Sequence, residues 1–241
     1  MMTKDAPTIP QLEKLPAVSR KTLLGTLGAG ALAVTAATAG MTIPSKALAG
    51  VTDVDILNFA LNLEYLEAEF YTYATTGHGI EGIVPTNGVG NHGKTVGGKQ
   101  VNFANALLSK SALELAYDEQ QHVVLLHQAL GSAAVAKPAI NLNALGIGFA
   151  NRDQFLVLGR ALEDTGVSAY AGAAPLIQSK AYLAVAARIL GTEAEHSGNI
   201  RLQVAAFGVQ TKPLDSLDVL PPPSGARLFT VNNQALVPAR T

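Results

Sequence analysis

Two short segments of this chain share a glutamate followed three residues later by a histidine. The segment YDEQQHVVLL contains Glu119 and His122, and the segment TEAEH contains Glu193 and His196. Residues three apart on a helix lie on the same face, so each pair points a carboxylate and an imidazole in one direction. Because apolar residues flank both pairs, the fold must supply partners for these polar groups inside its core.

Four segments carry apolar residues at helical spacing, with capping residues at their starts and glycine or proline near their ends. The predicted helices cover residues 53–76, 101–130, 151–174 and 179–207. The glycine-rich stretch 78–100 separates the first two helices, and we predict a long exposed loop there, with room for a hairpin.

The connection at residues 132–151 decides how the helices are arranged. At ~3.3 Å per residue it could reach ~60 Å, whereas a helix of about 20 residues is ~30 Å long. The connection can therefore cross the bundle from end to end and place the second and third helices parallel. The predicted fold class is all-α, a four-helix bundle with one long crossover and an irregular C-terminal tail.

The two halves of the predicted bundle repeat each other. Glu64 in the first helix and Glu163 in the third each follow a leucine and precede a tyrosine by the same spacing, ending at Tyr71 and Tyr170. The second and fourth helices each carry the Glu-x-x-His pair. Along the chain, the order is therefore Glu, Glu-x-x-His, Glu, Glu-x-x-His.

This repeat predicts a dinuclear metal site in the bundle, of the kind that carboxylates and imidazoles from four helices can form. Four buried carboxylates without partners would repel one another, and two divalent ions supply the missing positive charge. Oxygen and nitrogen ligands without sulfur suit iron or manganese, and zinc is possible. The predicted ligands are Glu64, Glu119, His122, Glu163, Glu193 and His196.

Glu67 leaves an alternative open in the first helix. It lies one turn from Glu64, and its counterpart in the third helix is Gly166. Glu67 could fill the space above that glycine and serve as an extra or substitute ligand. The repeat itself favours Glu64.

Side chains next to the predicted ligands could support them. Tyr71 and Tyr170 lie one turn along the same face and are either core residues or hydrogen-bond donors to the site. Asp118 precedes Glu119 and could accept a hydrogen bond from the outer ring nitrogen of a ligand histidine. Thr192 takes its place in the other half, which makes the two halves unequal.

Composition and the termini limit the function. The 241-residue chain has a net charge of −1 and no cysteine, which argues against nucleic acid as a partner and excludes thiolate sites and disulfides. Residues 1–49 resemble a twin-arginine-like export signal, with Arg20-Lys21 before an uncharged run, and we predict that it is cleaved. An uncleaved membrane anchor is the alternative. Residues 50–210 then form the bundle, and residues 211–241 form the tail.

Longer stretches, including LNFALNLEYLEAEFY, DEQQHVVLL, ALEDTGVSAYAGAAPLI and LDVLPPPSGARLFTVNNQALVPART, resemble the ferritin-like superfamily. More narrowly, they resemble ferritin-like proteins related to plant desiccation-related proteins, from about residue 52 to the C-terminus. The resemblance implies a ferritin-like bundle with a dinuclear metal site at the six predicted ligands. It also implies an exported protein, periplasmic, extracellular or in the cell envelope, linked to stress or drying.

Two functions are compatible with these features. The first is an exported protein whose iron or manganese pair reacts with oxygen, peroxide or ferrous iron, as a ferroxidase or a manganese catalase would. The second is a structural, protectant or assembly protein of the cell envelope, in which the metal only stabilises the bundle. The expected partners are metal ions and oxygen or peroxide, without nucleic acid and without membrane after signal cleavage. Assembly into a homo-oligomer is left open.

Overall fold

The computed structural model describes residues 51–209, so the predicted export signal at 1–49 and the tail at 211–241 lie outside the described residues. In the described part, four long helices account for most of the chain, which confirms the all-α prediction. Their bounds are α1 Asp53–Thr76, α2 Ala106–Leu130, α3 Arg152–Ala173 and α4 Lys180–Ala206. Short 3₁₀ turns, Gly131–Ala133 and Ala174–Leu176, follow α2 and α3.

Each helix begins at a side chain that caps it. The capping oxygen accepts a hydrogen bond from a backbone N–H in the first turn, one of the groups that a helix leaves without a partner. At α1 the cap is reciprocal, because Asp55 also accepts from the backbone of Thr52. The capping residues are Thr52, Asn105, Asn151 and Ser179.

The second helix begins later than its predicted start at residue 101. Residues 101–105 are not helical, and the backbone N–H of Val101 donates to the carbonyl of Ala74 at 2.9 Å. Ala104 has a φ of 50°, which a continuous helix does not allow. The helix therefore starts only after Asn105, whose side chain caps it.

The helices pack as two pairs, α1 with α2 and α3 with α4, and the pairs meet through α2–α4 and α1–α3 contacts. An aromatic cluster joins α1 to α3 and to the connecting segments. Phe70 stacks on Phe155 at 5.4 Å between ring centroids and meets Phe149 edge-on at 5.3 Å. Phe103 packs edge-on against Phe155 at 4.9 Å. Among residues 51–209, no helix is both long and apolar enough to cross a membrane.

The glycine-rich loop contains no hairpin, which corrects that part of the prediction. Its strand β1, Thr95–Val96, pairs in parallel with β2, Ile140–Asn141, in the crossover between α2 and α3. A second parallel bridge joins Val89 to Val135. Glycine allows this approach, because a Cβ at Gly88 would overlap the backbone of the crossover. The loop and the crossover therefore satisfy each other's backbone groups.

A buried ion pair fixes both segments to the first helix. The ammonium group of Lys137, in the crossover, lies 3.1 Å from Oε1 of Glu69 on α1, and neither side chain is exposed. Lys137 also donates to Oγ1 of Thr95 at 2.8 Å and to the carbonyl of Gly93 at 2.9 Å. Glu69 lies on the face of α1 opposite the main apolar stripe, and the crossover covers that face.

Replacing Glu69 tests this connection. Among residues 51–209, Glu69→Gln leaves the buried ammonium of Lys137 with the half-exposed Glu81, 3.5 Å away, as its one remaining charged partner. We expect the free energy of unfolding in urea to fall by about 3–5 kcal/mol, the usual cost of breaking a buried ion pair. Glu114→Gln removes the same charge from an exposed position on α2 and is the control. Equal unfolding curves for the two variants would show that the buried pair contributes nothing.

Candidate metal centre

All six predicted ligand residues meet in the interior of the bundle. Each helix contributes to the cluster, α1 and α3 with one glutamate each and α2 and α4 with a Glu-x-x-His pair. The four carboxylates are completely buried, and the two histidines are nearly so. The structure thus brings the six residues together, while their role as ligands stays a prediction.

The six residues form two overlapping groups whose ligand atoms lie within 4.8 Å of one another. One group contains Glu64 and His122, and the other contains Glu163 and His196. Glu119 and Glu193 belong to both groups. Carboxylates shared in this way are suited to bridge two cations. Each sequence repeat therefore provides the unshared glutamate and histidine of one cation position.

The inner nitrogen of His122 points into the cluster. Its Nδ1 atom lies 3.0 Å from Oε2 of Glu64, 3.0 Å from Oε2 of Glu119 and 3.4 Å from Oε1 of Glu193. Three carboxylates around one ring nitrogen mark a point of strong negative potential. A divalent cation at that point would meet one nitrogen and several oxygen donors.

The inner nitrogen of His196 takes the equivalent place in the other group. Its Nδ1 atom lies 2.8 Å from Oε1 of Glu119 and 3.5 Å from Oε2 of Glu163. The rings of His122 and His196 lie 5.9 Å apart between their centroids. The two histidines thus approach the shared carboxylate of Glu119 from two different helices.

Burial and mutual repulsion dominate the electrostatics of the cluster. Burial raises the pKa of Glu64 to about 7, despite the opposing effect of His122. Burial and the neighbouring carboxylates raise the pKa of Glu193 well above its usual value. Burial also tends to raise the pKa of Glu119, but His122 and His196 hold it below the usual range. Without cations, the cluster must therefore keep protons to limit its negative charge.

Several buried oxygens of the cluster form no hydrogen bond of normal geometry among the described residues. They include both carboxylate oxygens of Glu163, both of Glu193 and Oε1 of Glu119. Nδ1 of His196 lacks a hydrogen bond of normal geometry as well. Such atoms are costly to bury, and a pair of divalent cations would satisfy them. The donor set of four carboxylates and two imidazoles therefore fits iron or manganese.

The residues expected beside the ligands are in contact with them. Asp118 lies 3.2 Å from Nε2 of His196 and accepts its hydrogen bond, as the sequence predicts for one ligand histidine. The hydroxyl of Tyr170 donates to Oε1 of Glu64. The hydroxyl of Tyr71 is completely buried and lies beside the carboxyl group of Glu163, the counterpart of Glu64.

Gly166 makes room for the cluster, and mainly for Glu193 rather than Glu67. A Cβ at Gly166 would overlap Oε2 of Glu193, whereas Oε1 of Glu67 would lie 3.5 Å from it. Glu67 is buried beside the cluster but belongs to neither group of ligand atoms. Burial and the negative charge of Glu193 raise the pKa of Glu67 well above the usual value. Glu67 is thus a buried neighbour of the site, and its surroundings favour the protonated form in the metal-free protein.

A polar network beside the site involves residues that the sequence does not predict to be part of it. Asp164, directly after Glu163, accepts hydrogen bonds from Ser197 at 2.8 Å and from Nε of Arg201 at 2.9 Å. These contacts join α3 to α4 close to Glu163 and His196. The spacing of these residues carries no recognisable motif, because the contact joins separate helices.

Residues 52–206 match the sequence pattern of the ferritin-like domain family. The chain belongs to the ferritin-like domain family. This match covers all four helices of the bundle, and it agrees with the resemblance that the sequence alone indicates.

The chain is similar to two curated proteins. The chain is 28% identical over 169 residues to the ferritin-like catalase Nec2 of Nesocodon mauritianus. It is 27% identical over 167 residues to the desiccation-related protein PCC13-62 of Craterostigma plantagineum. In both cases the match covers 62% of this chain and 52% of the relative, so the chain spans about half the length of these proteins. No solved structure matches the chain significantly.

Adding one methyl group at Gly166 tests the geometry of the cluster. Gly166→Ala would push the carboxylate of Glu193 out of both groups, so we expect fewer than two Mn²⁺ ions per chain by elemental analysis after loading. Gly198→Ala on α4 is the matched control, because nothing lies within 4 Å of its added methyl group. That variant should keep full loading and gain about 0.5–1 kcal/mol of stability. Full loading of Gly166→Ala would contradict the placement of Glu193.

The raised pKa values predict how the stability of the metal-free protein depends on pH. Glu64 has a pKa of about 7 in the folded protein against an ordinary 4.5, so its contribution is complete below about pH 4.5 and is lost as the pH rises through 7. We expect the melting temperature of the metal-free protein to fall between about pH 5 and pH 8. Mn²⁺ should reverse the fall, because cations replace the protons. A melting temperature that rises over this range without metal would contradict this account.

Proposed function

We propose that this protein is exported and that its four-helix bundle holds two manganese or iron ions that destroy hydrogen peroxide under stress. The observation that carries the proposal is the pair of overlapping buried groups that share Glu119 and Glu193. The similarity to a protein named as a ferritin-like catalase favours peroxide over other oxidants. The similarity to a desiccation-related protein favours a role in stress.

The proposed reaction converts two molecules of peroxide into two molecules of water and one of dioxygen. A bound metal pair would supply the two-electron redox change that links the oxidation of one peroxide to the reduction of the other. Glu64 and His122 would hold one cation, Glu163 and His196 would hold the other, and Glu119 and Glu193 would contribute to both positions.

The remaining task of the protein is to hold and move protons. Oxidation of one peroxide releases two protons, and reduction of the next consumes two. Glu67 is buried next to the cluster without belonging to either ligand group, and burial raises its pKa well above the usual value. It is therefore placed to give a proton to a peroxide oxygen and to take one back. Tyr170 orients Glu64 through the hydrogen bond that it donates.

The second function, a protectant or assembly protein of the cell envelope, depended on the tail and the glycine-rich loop. The tail at 211–241 lies outside the described residues. The loop pairs with the crossover through β1 and β2 rather than standing free. The second function therefore stays a prediction, and deleting residues 212–241 tests it through the oligomeric state.

Peroxide turnover by protein loaded with Mn²⁺ tests the proposed function. We expect dioxygen release from hydrogen peroxide, and we expect Glu119→Ala to reduce it more than ~100-fold, because Glu119 belongs to both cation positions. Glu114→Ala, an exposed change on the same helix, should keep full activity. Unchanged turnover by Glu119→Ala would refute the proposal.

A second measurement separates the proposed activity from iron oxidation. Protein loaded with ferrous iron is mixed with dioxygen, and oxygen consumption is followed at the same enzyme concentration. Fast oxygen consumption without peroxide turnover would identify a ferroxidase instead. Elemental analysis of protein purified from its native compartment, without added metal, identifies the resident ion.

A further inference from the structure

The two halves of the cluster differ in what holds the outer nitrogen of each histidine. Nε2 of His196 lies 3.2 Å from Oδ2 of Asp118, which precedes Glu119. The residue at the equivalent place before Glu193 is Thr192. Its hydroxyl donates to the carbonyl of Arg188 in its own helix, at 3.4 Å, and so does not support a histidine.

The outer nitrogen of His122 has no comparable support. Within residues 51–209, every ion-pair and hydrogen-bond contact of this ring uses the inner nitrogen, Nδ1, toward the three carboxylates. His122 and His196 therefore have similar inner surroundings but different outer ones. The two halves of the repeat differ at the residue that precedes the Glu-x-x-His pair, which is Asp118 in one half and Thr192 in the other.

The outer side of His122 faces a groove between α2 and α4. The groove has a volume of about 520 Å³, and its lining includes His122, Asp118, Gln121, Arg188 and Thr192. The lining is largely polar, and Gln121 and Arg188 are exposed. His122 therefore forms part of the wall of the groove, whereas the carboxylate of Asp118 lies against the outer nitrogen of His196.

The difference lies at the histidines and not at the unshared carboxylates, because each of these carboxylates lies beside a tyrosine. Tyr170 donates a hydrogen bond to Glu64, the partner of His122, and the hydroxyl of Tyr71 lies beside the carboxyl group of Glu163, the partner of His196. A carboxylate bonded to the outer nitrogen of a ligand histidine also fixes its tautomer and makes the inner nitrogen a stronger donor.

We propose that the two cation positions are unequal: the Glu163–His196 position binds its cation more tightly, and the Glu64–His122 position exchanges its cation through the groove between α2 and α4. The inference rests on the dinuclear centre of the proposed function, but not on the reaction that it catalyses. The geometry also names the residue responsible. Asp118 is a positioning residue, which acts on the cation only through His196.

Titration of the metal-free full-length protein with Mn²⁺ tests the inference. Calorimetry gives the affinity of each step, and electron paramagnetic resonance shows when two Mn²⁺ ions occupy neighbouring positions. We expect two steps whose dissociation constants differ at least about tenfold. Asp118→Ala should weaken the tighter step by about 10–100-fold and leave the weaker step unchanged. Glu114→Ala is the control, because it removes an equal charge one turn earlier on the same helix, from an exposed site.

The opposite substitution adds the missing carboxylate, so that both histidines have an aspartate beside their outer nitrogen. Thr192→Asp places a carboxylate where it can reach the outer nitrogen of His122, and it should strengthen the weaker step until the two steps approach each other. Thr192→Val keeps the shape of the side chain without adding charge, and it should leave both steps unchanged. In a competition with a chelator, wild-type protein should release one cation faster than the other, and Thr192→Asp should slow the faster release.

The outcomes separate this inference from the proposed function. Two equal steps in the wild-type protein, or an Asp118→Ala variant that binds like Glu114→Ala, would overturn the inference and leave peroxide chemistry untouched. Unequal binding in a loaded protein that does not destroy peroxide would support the inference and overturn the function. Thermal unfolding of each variant checks its fold, and Asp118→Asn replaces Asp118→Ala in the same titration if the latter does not fold.

Discussion

The interior of this bundle must hold four carboxylates and two imidazoles without access to water, and the rest of the structure follows from that requirement. Carboxylates this close repel one another, and burial removes the solvent that would screen them. The raised pKa of Glu64, about 7, is one consequence. The oxygens of Glu163 and Glu193, which form no hydrogen bond of normal geometry among the described residues, are another. Protons can relieve part of this charge, and a pair of divalent cations would relieve all of it.

A cluster of this kind needs helices that hold their positions when the charge inside them changes. The structure provides this rigidity from outside the site. The glycine-rich loop and the crossover pair with each other through β1 and β2, and the buried Lys137–Glu69 pair joins both to α1. On the other side, Asp164 and Arg201 join α3 to α4 next to Glu163. The polar contacts around the cluster thus connect the same helices that supply the carboxylates.

Membership of the ferritin-like domain family accounts for the bundle but not for the chemistry. The chain spans about half the length of two curated relatives with different descriptions, a catalase and a desiccation-related protein. The features that bear on the chemistry lie in and around the cluster. They are the buried Glu67 beside it, the hydrogen bond that Asp118 accepts from His196, and the groove that His122 helps to line.

The sequence by itself determined the helices, the repeat and the six residues that meet in the core, because helical periodicity and the i, i+3 spacing are local properties. It also indicated Asp118 as a partner for a histidine. Only the tertiary structure decided which histidine that is, because Asp118 reaches across from α2 to α4. The same holds for Gly166, which makes room mainly for Glu193, and for the loop, which pairs with the crossover instead of folding on itself. Each of these contacts joins segments far apart in the chain, so no local pattern of residues records it.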